Sequence, residues 1–361
     1  MFDIILQWGF IGPTLLIAVG MAILVGGAEI LIRGASQLAV TLKIPALIVG
    51  LTIVAFSTGA PEIALSISAV LKGSTDFAIG IVVGSNICNI GLILGIAALL
   101  SPVAVCSSLI RREIPLMIAV AVLVLPLAIL GATMPISSFF SGQFEGVIFP
   151  WMGGLMLAML LAYVGWTIYE LRCHKENNEV YARELEESLQ PDEKNAASKK
   201  SVGKDVLINL TLIAVGVGLL VIGSELMVQG SVKVAVMMGV SELFIGLTVL
   251  AVGTASPELI VVIVAAVKRK SDIAIGNIIG SNIFNVLGVL GITALFSGGT
   301  DVGGLLVSSQ ALLFDIPIMI VISLFCIVIC VTGRQVTRGE GIFLLLCYAA
   351  YLVALCTMAS G

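Results

Sequence analysis

Two glutamates, Glu62 and Glu258, each interrupt a long apolar stretch of the sequence. They end the motifs Ser-Thr-Gly-Ala-Pro-Glu and Gly-Thr-Ala-Ser-Pro-Glu. A charged side chain at the centre of a bilayer costs about 3 kcal/mol or more, so it needs a partner or a ligand. Two carboxylates balance one divalent charge, and oxygen is the donor that Ca2+ prefers. The pair therefore indicates a cation site, whereas the alternative is that each glutamate caps a broken helix or pairs with a buried arginine.

The proline before each glutamate adds backbone oxygens to this picture. Proline cannot donate a backbone hydrogen bond, so it frees the carbonyl about four residues earlier in a helix. That carbonyl lies near Ser57 or Thr58 in the first motif and near Gly253 or Thr254 in the second. We therefore expect both helices to be discontinuous there. No thiolate or imidazole is available in these motifs, which argues against zinc or copper.

A second pair of motifs, Gly-Ser-Asn-Ile-Cys-Asn and Gly-Ser-Asn-Ile-Phe-Asn, supplies neutral oxygens. On a helix, residues four apart share a face, so Ser85 lies above Asn89 and Ser281 above Asn285. Hydroxyl and amide oxygens on one face suit a monovalent ion, or they complete the oxygen shell of Ca2+. The alternative is that these small and polar residues only pack helices closely, as they do in membranes.

The composition defines the class of protein that carries these motifs. Of 361 residues, 59% are hydrophobic and 11% are charged, against about 25% charged in soluble domains. Ten apolar segments are long enough to cross a bilayer. We predict an all-α integral membrane protein with these segments at about 11–32, 44–71, 77–100, 114–131, 146–169, 206–225, 241–267, 272–296, 305–331 and 341–358.

The two sets of motifs belong to an internal duplication. An offset of 196 positions aligns Gly27–Ser101 with Gly223–Ser297 without a gap, and about thirty of the seventy-five aligned pairs are identical. Between the copies lies a polar stretch of mixed charge, typical of a solvated linker. The sequence therefore predicts a first membrane half over 1–170, a linker over 171–205 and a second membrane half over 206–361.

The distribution of lysine and arginine gives the orientation. With ten crossings, sixteen of the eighteen basic residues fall on the side of the linker and two, Lys72 and Lys233, fall on the other. Basic residues favour the cytoplasmic side. We therefore expect a multi-pass protein of the inner cell membrane, with the linker in the cytoplasm and both termini outside. Five crossings per half then make the two five-helix repeats inverted, with discontinuous helices at the bilayer midplane, as in many secondary transporters.

With these residues in hand, the sequence resembles the Ca2+/cation antiporter superfamily and, within it, the prokaryotic sodium/calcium exchangers. The resemblance implies that Glu62 and Glu258 bind Ca2+ together with the carbonyls of Thr58 and Thr254. It also implies that four residues of the Gly-Ser-Asn motifs help to bind Na+ or share the calcium shell: Ser85, Asn89, Ser281 and Asn285. The family commonly has serine after the motif threonine and in some members an acid at the Asn285 position, whereas this chain has Gly59, Ala255 and a neutral asparagine.

The predicted function is secondary active antiport of Ca2+ against Na+ by alternating access. The alternatives are H+- or K+-coupled Ca2+ antiport and, from another class, a passive cation channel. An enzyme is not expected, because no nucleophile–base pair, resident metal set or cofactor loop is present. The expected partners are the transported ions and the lipid bilayer, without nucleic acid and without a cofactor.

The topology can be tested by cysteine labelling on a background in which the seven native cysteines are replaced. We expect single cysteines introduced within 171–205 to react only with reagent on the cytoplasmic side, and cysteines near either terminus only from outside. Termini on opposite sides of the membrane would contradict the inverted repeat. The total number of crossings would then be odd, and an odd total cannot be divided into two halves with five crossings each.

Overall fold

The computed structural model describes residues 9–42, 44–132, 145–173, 202–238, 253 and 255–360. Within this part the chain forms ten helices, which we number in chain order: α1 Ile11–Leu42, α2 Leu47–Leu71, α3 Thr75–Leu100, α4 Leu109–Leu130, α5 Pro150–Cys173, α6 Val202–Met237, α7 Ser256–Val267, α8 Ser271–Gly299, α9 Ala311–Gly333 and α10 Arg338–Ser360.

Nine of these helices are long and apolar enough to cross a membrane, and they overlap nine of the ten predicted segments, although α1 and α6 continue to Leu42 and Met237, beyond the predicted ends at 32 and 225. The exception is α7, whose twelve residues cover the second part of the predicted segment 241–267. The first part of that segment, 241–252, lies outside the described residues. Helices dominate because a chain surrounded by lipid must satisfy its backbone hydrogen bonds within each segment.

Several helices change their winding at the sequence motifs. In α2 the regular helix stops at Gly59, which has φ −78° and ψ −1°, and resumes at Ala60 with Pro61 in its first turn. The equivalent residue Ala255 precedes α7 with φ −82° and ψ 2°. Both dihedral pairs are those of a turn rather than a helix, because proline cannot donate the bond that would continue the helix.

Two matched π-helical turns follow the Gly-Ser-Asn motifs. They span Asn89–Leu94 in α3 and Asn285–Leu290 in α8, which places both 196 positions apart. Each begins at an asparagine that the sequence nominates as a ligand. A π-turn widens the helix locally and is frequent at functional sites, because it leaves backbone groups and side chains in positions that a regular helix excludes.

Short antiparallel strands connect the ends of some helices. Strand β1 (Val103–Ala104) pairs with β4 (Gln335–Val336), and β2 (Gly146–Ile148) pairs with β3 (Leu305–Val307). The sequence analysis did not predict these strands, because two or three residues carry no measurable alternation of polarity.

The chain divides into two compact units. Unit 1 contains Met1–Thr58, Glu170–Asn277 and Leu345–Gly361, and unit 2 contains Gly59–Tyr169 and Ile278–Leu344. Each unit therefore takes segments from both predicted sequence halves. The division into 1–170, 171–205 and 206–361 remains a prediction about duplication and topology, which is a different property from compactness.

Within unit 1, α1 and α6 pack through matched glycines. A β-carbon on Gly20 would lie 2.8 Å from the Gly223 carbonyl oxygen, and one on Gly27 would lie 3.0 Å from the Gly216 carbonyl oxygen. The residue numbers rise along α1 while they fall along α6, so the two helices are antiparallel. They carry equivalent glycines in the two repeats, since Gly216 and Gly223 lie 196 positions after Gly20 and Gly27. Only glycine lets the backbones approach this closely.

This packing gives a test with a matched control. A β-carbon on Gly223 would lie 2.9 Å from the Gly20 carbonyl oxygen, whereas one on Gly218 of the same helix meets nothing within 4 Å. Both substitutions to alanine raise helix propensity equally. We therefore expect Gly223→Ala to be less stable than Gly218→Ala by about 1–3 kcal/mol, measured as thermal unfolding in detergent. Equal stability of the two variants would show that the helices separate at no cost.

Candidate functional site

The predicted ligands fall in both units. Thr58 and Glu258 lie in unit 1, and Thr254 lies outside the described residues. The other predicted ligands lie in unit 2: Glu62, Ser85, Asn89, Ser281 and Asn285.

In unit 1, Glu258 occupies the first turn of α7, directly after Pro257. Its side chain is 3% exposed, and within the described part of the chain its Oε2 atom has no hydrogen-bond partner. The carboxyl group has the Thr58 side chain as a hydrogen-bonding neighbour. Thr58 is itself buried, at the end of the regular helix before Gly59. The structure thus brings together two residues that the sequence nominated from different repeats.

The carbonyl of Gly253 is already engaged by the protein. The Ser256 hydroxyl donates to it at 2.7 Å and the Ser224 hydroxyl at 2.8 Å. Of the two carbonyls that the proline rule nominates in the second repeat, this one therefore has hydrogen-bond donors within the protein, whereas Thr254 lies outside the described residues. The first repeat has Ala28 and Ala60 at the positions of Ser224 and Ser256, so it lacks both hydroxyls.

In unit 2, Glu62 lies in the first turn after the break in α2 and is 1% exposed. Ser66 follows four residues later on the same helical face. Its hydroxyl is fully buried and makes no hydrogen bond within the described residues. Other serine hydroxyls of this chain donate a hydrogen bond to the carbonyl four residues earlier, as Ser57 does to Ile53 at 2.6 Å. Sequence reasoning missed Ser66, although its spacing from Glu62 is a usable signal.

The Gly-Ser-Asn motifs of α3 and α8 meet in unit 2 through Asn86. The Asn285 Nδ2 donates to Asn86 Oδ1 at 3.1 Å, and the Asn86 Nδ2 donates to the Asn282 carbonyl at 3.3 Å. The sequence analysis did not nominate Asn86, which lies about 100° from Ser85 around the helix. The structure instead gives it contacts with α8, where it orients the amide of a predicted ligand.

Several polar atoms around this contact have no hydrogen-bond partner among the described residues although they are buried. They are Asn89 Nδ2, Ser281 Oγ, both polar atoms of the Asn282 side chain and Asn285 Oδ1. An unsatisfied buried polar group costs about 1–3 kcal/mol. Such a concentration of unmatched atoms is typical of a ligand site, because the bound ligand supplies the missing interactions.

A third buried carboxylate shows the contrast. Glu113 in unit 2 is 2% exposed, and its Oε1 accepts hydrogen bonds from Arg112 Nε at 2.8 Å and Nη2 at 2.6 Å. Its Oε2 accepts from the Tyr163 hydroxyl at 2.9 Å. Glu113 is thus balanced by the protein, whereas Glu258 has no such partner for Oε2 in the described part of the chain.

The donor chemistry of both groups of residues suits hard cations. Every nominated side chain offers oxygen, as carboxylate, hydroxyl or amide. The described residues contain no cluster of three or more His, Cys, Asp or Glu side chains that could hold a metal ion. Few carboxylates combined with many neutral oxygens favour a site that binds and releases a cation over one that holds a resident metal.

The comparison with protein families identifies the class. The family described as sodium/calcium exchanger protein matches residues 12–169 and 208–357, and these two stretches lie on either side of the predicted linker. Together with nine apolar helices of membrane-spanning length in the described part, this defines a multi-pass membrane antiporter for calcium and other cations. The chain belongs to the sodium/calcium exchanger family.

Individual relatives agree along nearly the whole length. The sodium/calcium exchanger MaX1 of Methanosarcina acetivorans is 33% identical, covering 94% of this chain and 97% of the relative. CaxA of Alkalimonas amylolytica, a candidate antiporter, is 35% identical, covering 94% of this chain and 97% of the relative. Among solved structures, the sodium-calcium exchanger NCX_Mj soaked with 2.5 mM Na+ and 0.1 mM Ca2+ has a TM-score of 0.72 at 26% identity, covering 95% of this chain and 98% of that one.

Proposed function

We propose that this protein exchanges Ca2+ for Na+ across the inner cell membrane by alternating access. The observation that carries the proposal is Glu258, a carboxylate that is 3% exposed and whose Oε2 has no hydrogen-bond partner in the described part of the chain. A buried charge without a partner is strongly destabilising. A transported cation supplies the missing positive charge while it occupies the site and removes it when it leaves.

The calcium ligands in this proposal are Glu62 and Glu258, together with the carbonyl oxygens of Thr58 and Thr254. Two carboxylates neutralise one Ca2+, and neutral oxygens fill the remaining positions of its shell of six to eight. The assignment of Thr58 is supported by the position of its residue next to Glu258, since the Thr58 side chain is a hydrogen-bonding neighbour of that carboxyl group. The role of Thr254 rests on its equivalence to Thr58 at the repeat offset of 196 positions.

The sodium ligands in this proposal are four residues taken from the two Gly-Ser-Asn motifs: Ser85, Asn89, Ser281 and Asn285. Support comes from the Ser281 hydroxyl and the side-chain amide oxygen of Asn285, which are buried and without hydrogen-bond partners among the described residues. Both are neutral oxygens, which suit a monovalent ion. MaX1 and NCX_Mj are named as sodium/calcium exchangers, which favours Na+ over H+ or K+ as the coupling ion.

Alternating access requires an architecture with two related conformations. We infer ten transmembrane helices in two inverted five-helix repeats, with the linker 171–205 in the cytoplasm and both termini outside. The antiparallel packing of α1 and α6 supports this arrangement, because these helices carry equivalent glycines of the two repeats. An inverted repeat can exchange the conformations of its halves and so open one site to either side in turn.

The carboxylates can be tested by neutralisation. Glu62→Gln and Glu258→Gln keep the size and hydrogen bonding of the side chain but remove one charge of the divalent site. We expect each to abolish Ca2+ uptake into proteoliposomes, while stability in calcium-free buffer stays equal or increases because a buried charge is removed. Glu145→Gln, at an exposed position outside the helices, is the control. Normal Ca2+ flux in either site variant would exclude that glutamate as an essential ligand.

The coupling ion can be tested by ion replacement. We expect Ca2+ flux through the wild-type protein to stop when Na+ is replaced by choline. Gly59→Ser and Ala255→Ser each add one neutral oxygen beside the motif threonine. Each should lower the Na+ concentration for half-maximal exchange by up to about fivefold, because one added ligand is similar in strength to one hydrogen bond. A Ca2+ flux that is unchanged when choline replaces Na+ and that depends on a pH or K+ gradient would instead identify the H+- or K+-coupled antiporter.

A further inference from the structure

Asn277 is a polar residue of α8 that the repeat motifs do not include. It lies in unit 1, its side chain is 0% exposed, and it precedes Ser281 by one helical turn. The equivalent position of the first repeat is Ile81, so the duplication alone does not call for a polar side chain here. An amide in a fully buried position is costly unless it has partners for its oxygen and its nitrogen.

The protein supplies few such partners. The Asn277 Oδ1 lies 3.4 Å from the Thr58 hydroxyl, a long contact for a hydrogen bond. The same hydroxyl lies 3.4 Å from the Ala55 carbonyl, and its single proton can serve only one acceptor. The Asn277 Nδ2 has no partner among the described residues.

Another buried asparagine of unit 1 shows what a structural role looks like. Asn209 of α6 is 3% exposed, and its Nδ2 donates to the Thr41 hydroxyl at 3.3 Å. It ties α6 to α1 in this way. Asn277 has no comparable bond from its nitrogen in the described part of the chain, and its oxygen makes only the long contact with Thr58, so its amide oxygen is available to a ligand.

The surroundings of Asn277 indicate which ligand would satisfy its side-chain oxygen. Thr58, which contacts its Oδ1, is also the hydrogen-bonding neighbour of Glu258, whose Oε2 lacks a partner within the described residues. The Asn277 amide oxygen and the Glu258 carboxylate thus both neighbour the Thr58 hydroxyl, and one oxygen of that carboxylate remains without a hydrogen-bond partner among the described residues. Two acceptors cannot satisfy each other, but one cation can engage both. Ala255, which precedes α7, offers no side-chain oxygen to the same unit.

We propose that Asn277 is a further ligand of the transported Ca2+, supplying a neutral amide oxygen beside Glu258 in the second repeat only. This rests on the proposed function, since it assumes that Glu258 binds the cation. A neutral ligand completes the oxygen shell without adding charge to the two carboxylates. The two repeats then contribute unequally to the site, with an amide from the second where the first has the Ile81 side chain.

The test compares Asn277→Ala with Asn209→Ala, two truncations of buried asparagines in the same unit. Purified full-length protein is assayed for Ca2+ uptake in proteoliposomes and for thermal stabilisation by Ca2+ in detergent. Asn277→Ala should raise the Ca2+ concentration for half-maximal uptake roughly tenfold, the effect of losing one ligand to a charged group. It should also reduce the thermal stabilisation by Ca2+, because an ion that binds more weakly stabilises the folded protein less. Asn209→Ala should lower thermal stability without Ca2+ and leave the half-maximal concentration unchanged.

A second substitution protects the test against misfolding. Asn277→Asp keeps the shape and adds a charged oxygen, so it should lower the half-maximal Ca2+ concentration. Unchanged Ca2+ dependence in either Asn277 variant would overturn the inference about Asn277, provided that the wild-type protein transports Ca2+ and Glu258→Gln does not. A wild-type protein without Ca2+ uptake and without Ca2+-dependent stabilisation would instead contradict the proposed function itself.

Discussion

A carboxylate buried away from water needs positive charge or hydrogen-bond donors close by. Two buried glutamates of this chain differ in how far the protein supplies them. Glu113 receives three hydrogen bonds from Arg112 and Tyr163, so the protein itself balances it. Glu258 has an oxygen without a partner in the described part of the chain. The first arrangement is permanent. For the second, we propose that a transported cation supplies the missing positive charge while it is bound.

The helices around these carboxylates combine rigidity with local irregularity. In unit 1 the glycines of α1 and α6 bring two long helices into backbone contact, which fixes their register because any side chain at the contact would collide. The motif segments, by contrast, depart from regular winding at Gly59 and at Ala255, and after Asn89 and Asn285. Backbone and side-chain oxygens become available where the regular hydrogen-bond ladder is interrupted.

The duplicated motifs are equivalent in sequence, yet their supporting residues differ. Ser224 and Ser256 satisfy the Gly253 carbonyl, whereas the first repeat has alanines in their places. Asn277 likewise stands where the first repeat has Ile81. The duplicated halves therefore keep the same motif carboxylates while surrounding each with different neutral groups. In the site that we propose, such differences would change the free energy of cation binding without changing the total charge of the site.

The sequence by itself determined the membrane class, nine helices of the described part, the family and the two glutamates. These are local or periodic signals, since hydropathy, duplication and an acid in an apolar run are read along one dimension. Only the tertiary structure decided that each compact unit mixes both halves, that Asn86 binds the amide of Asn285, and that the Ser224 hydroxyl binds the Gly253 carbonyl. These contacts join residues that lie 29 or more positions apart along the chain, and they depend on which helical faces pack together, which no single segment encodes.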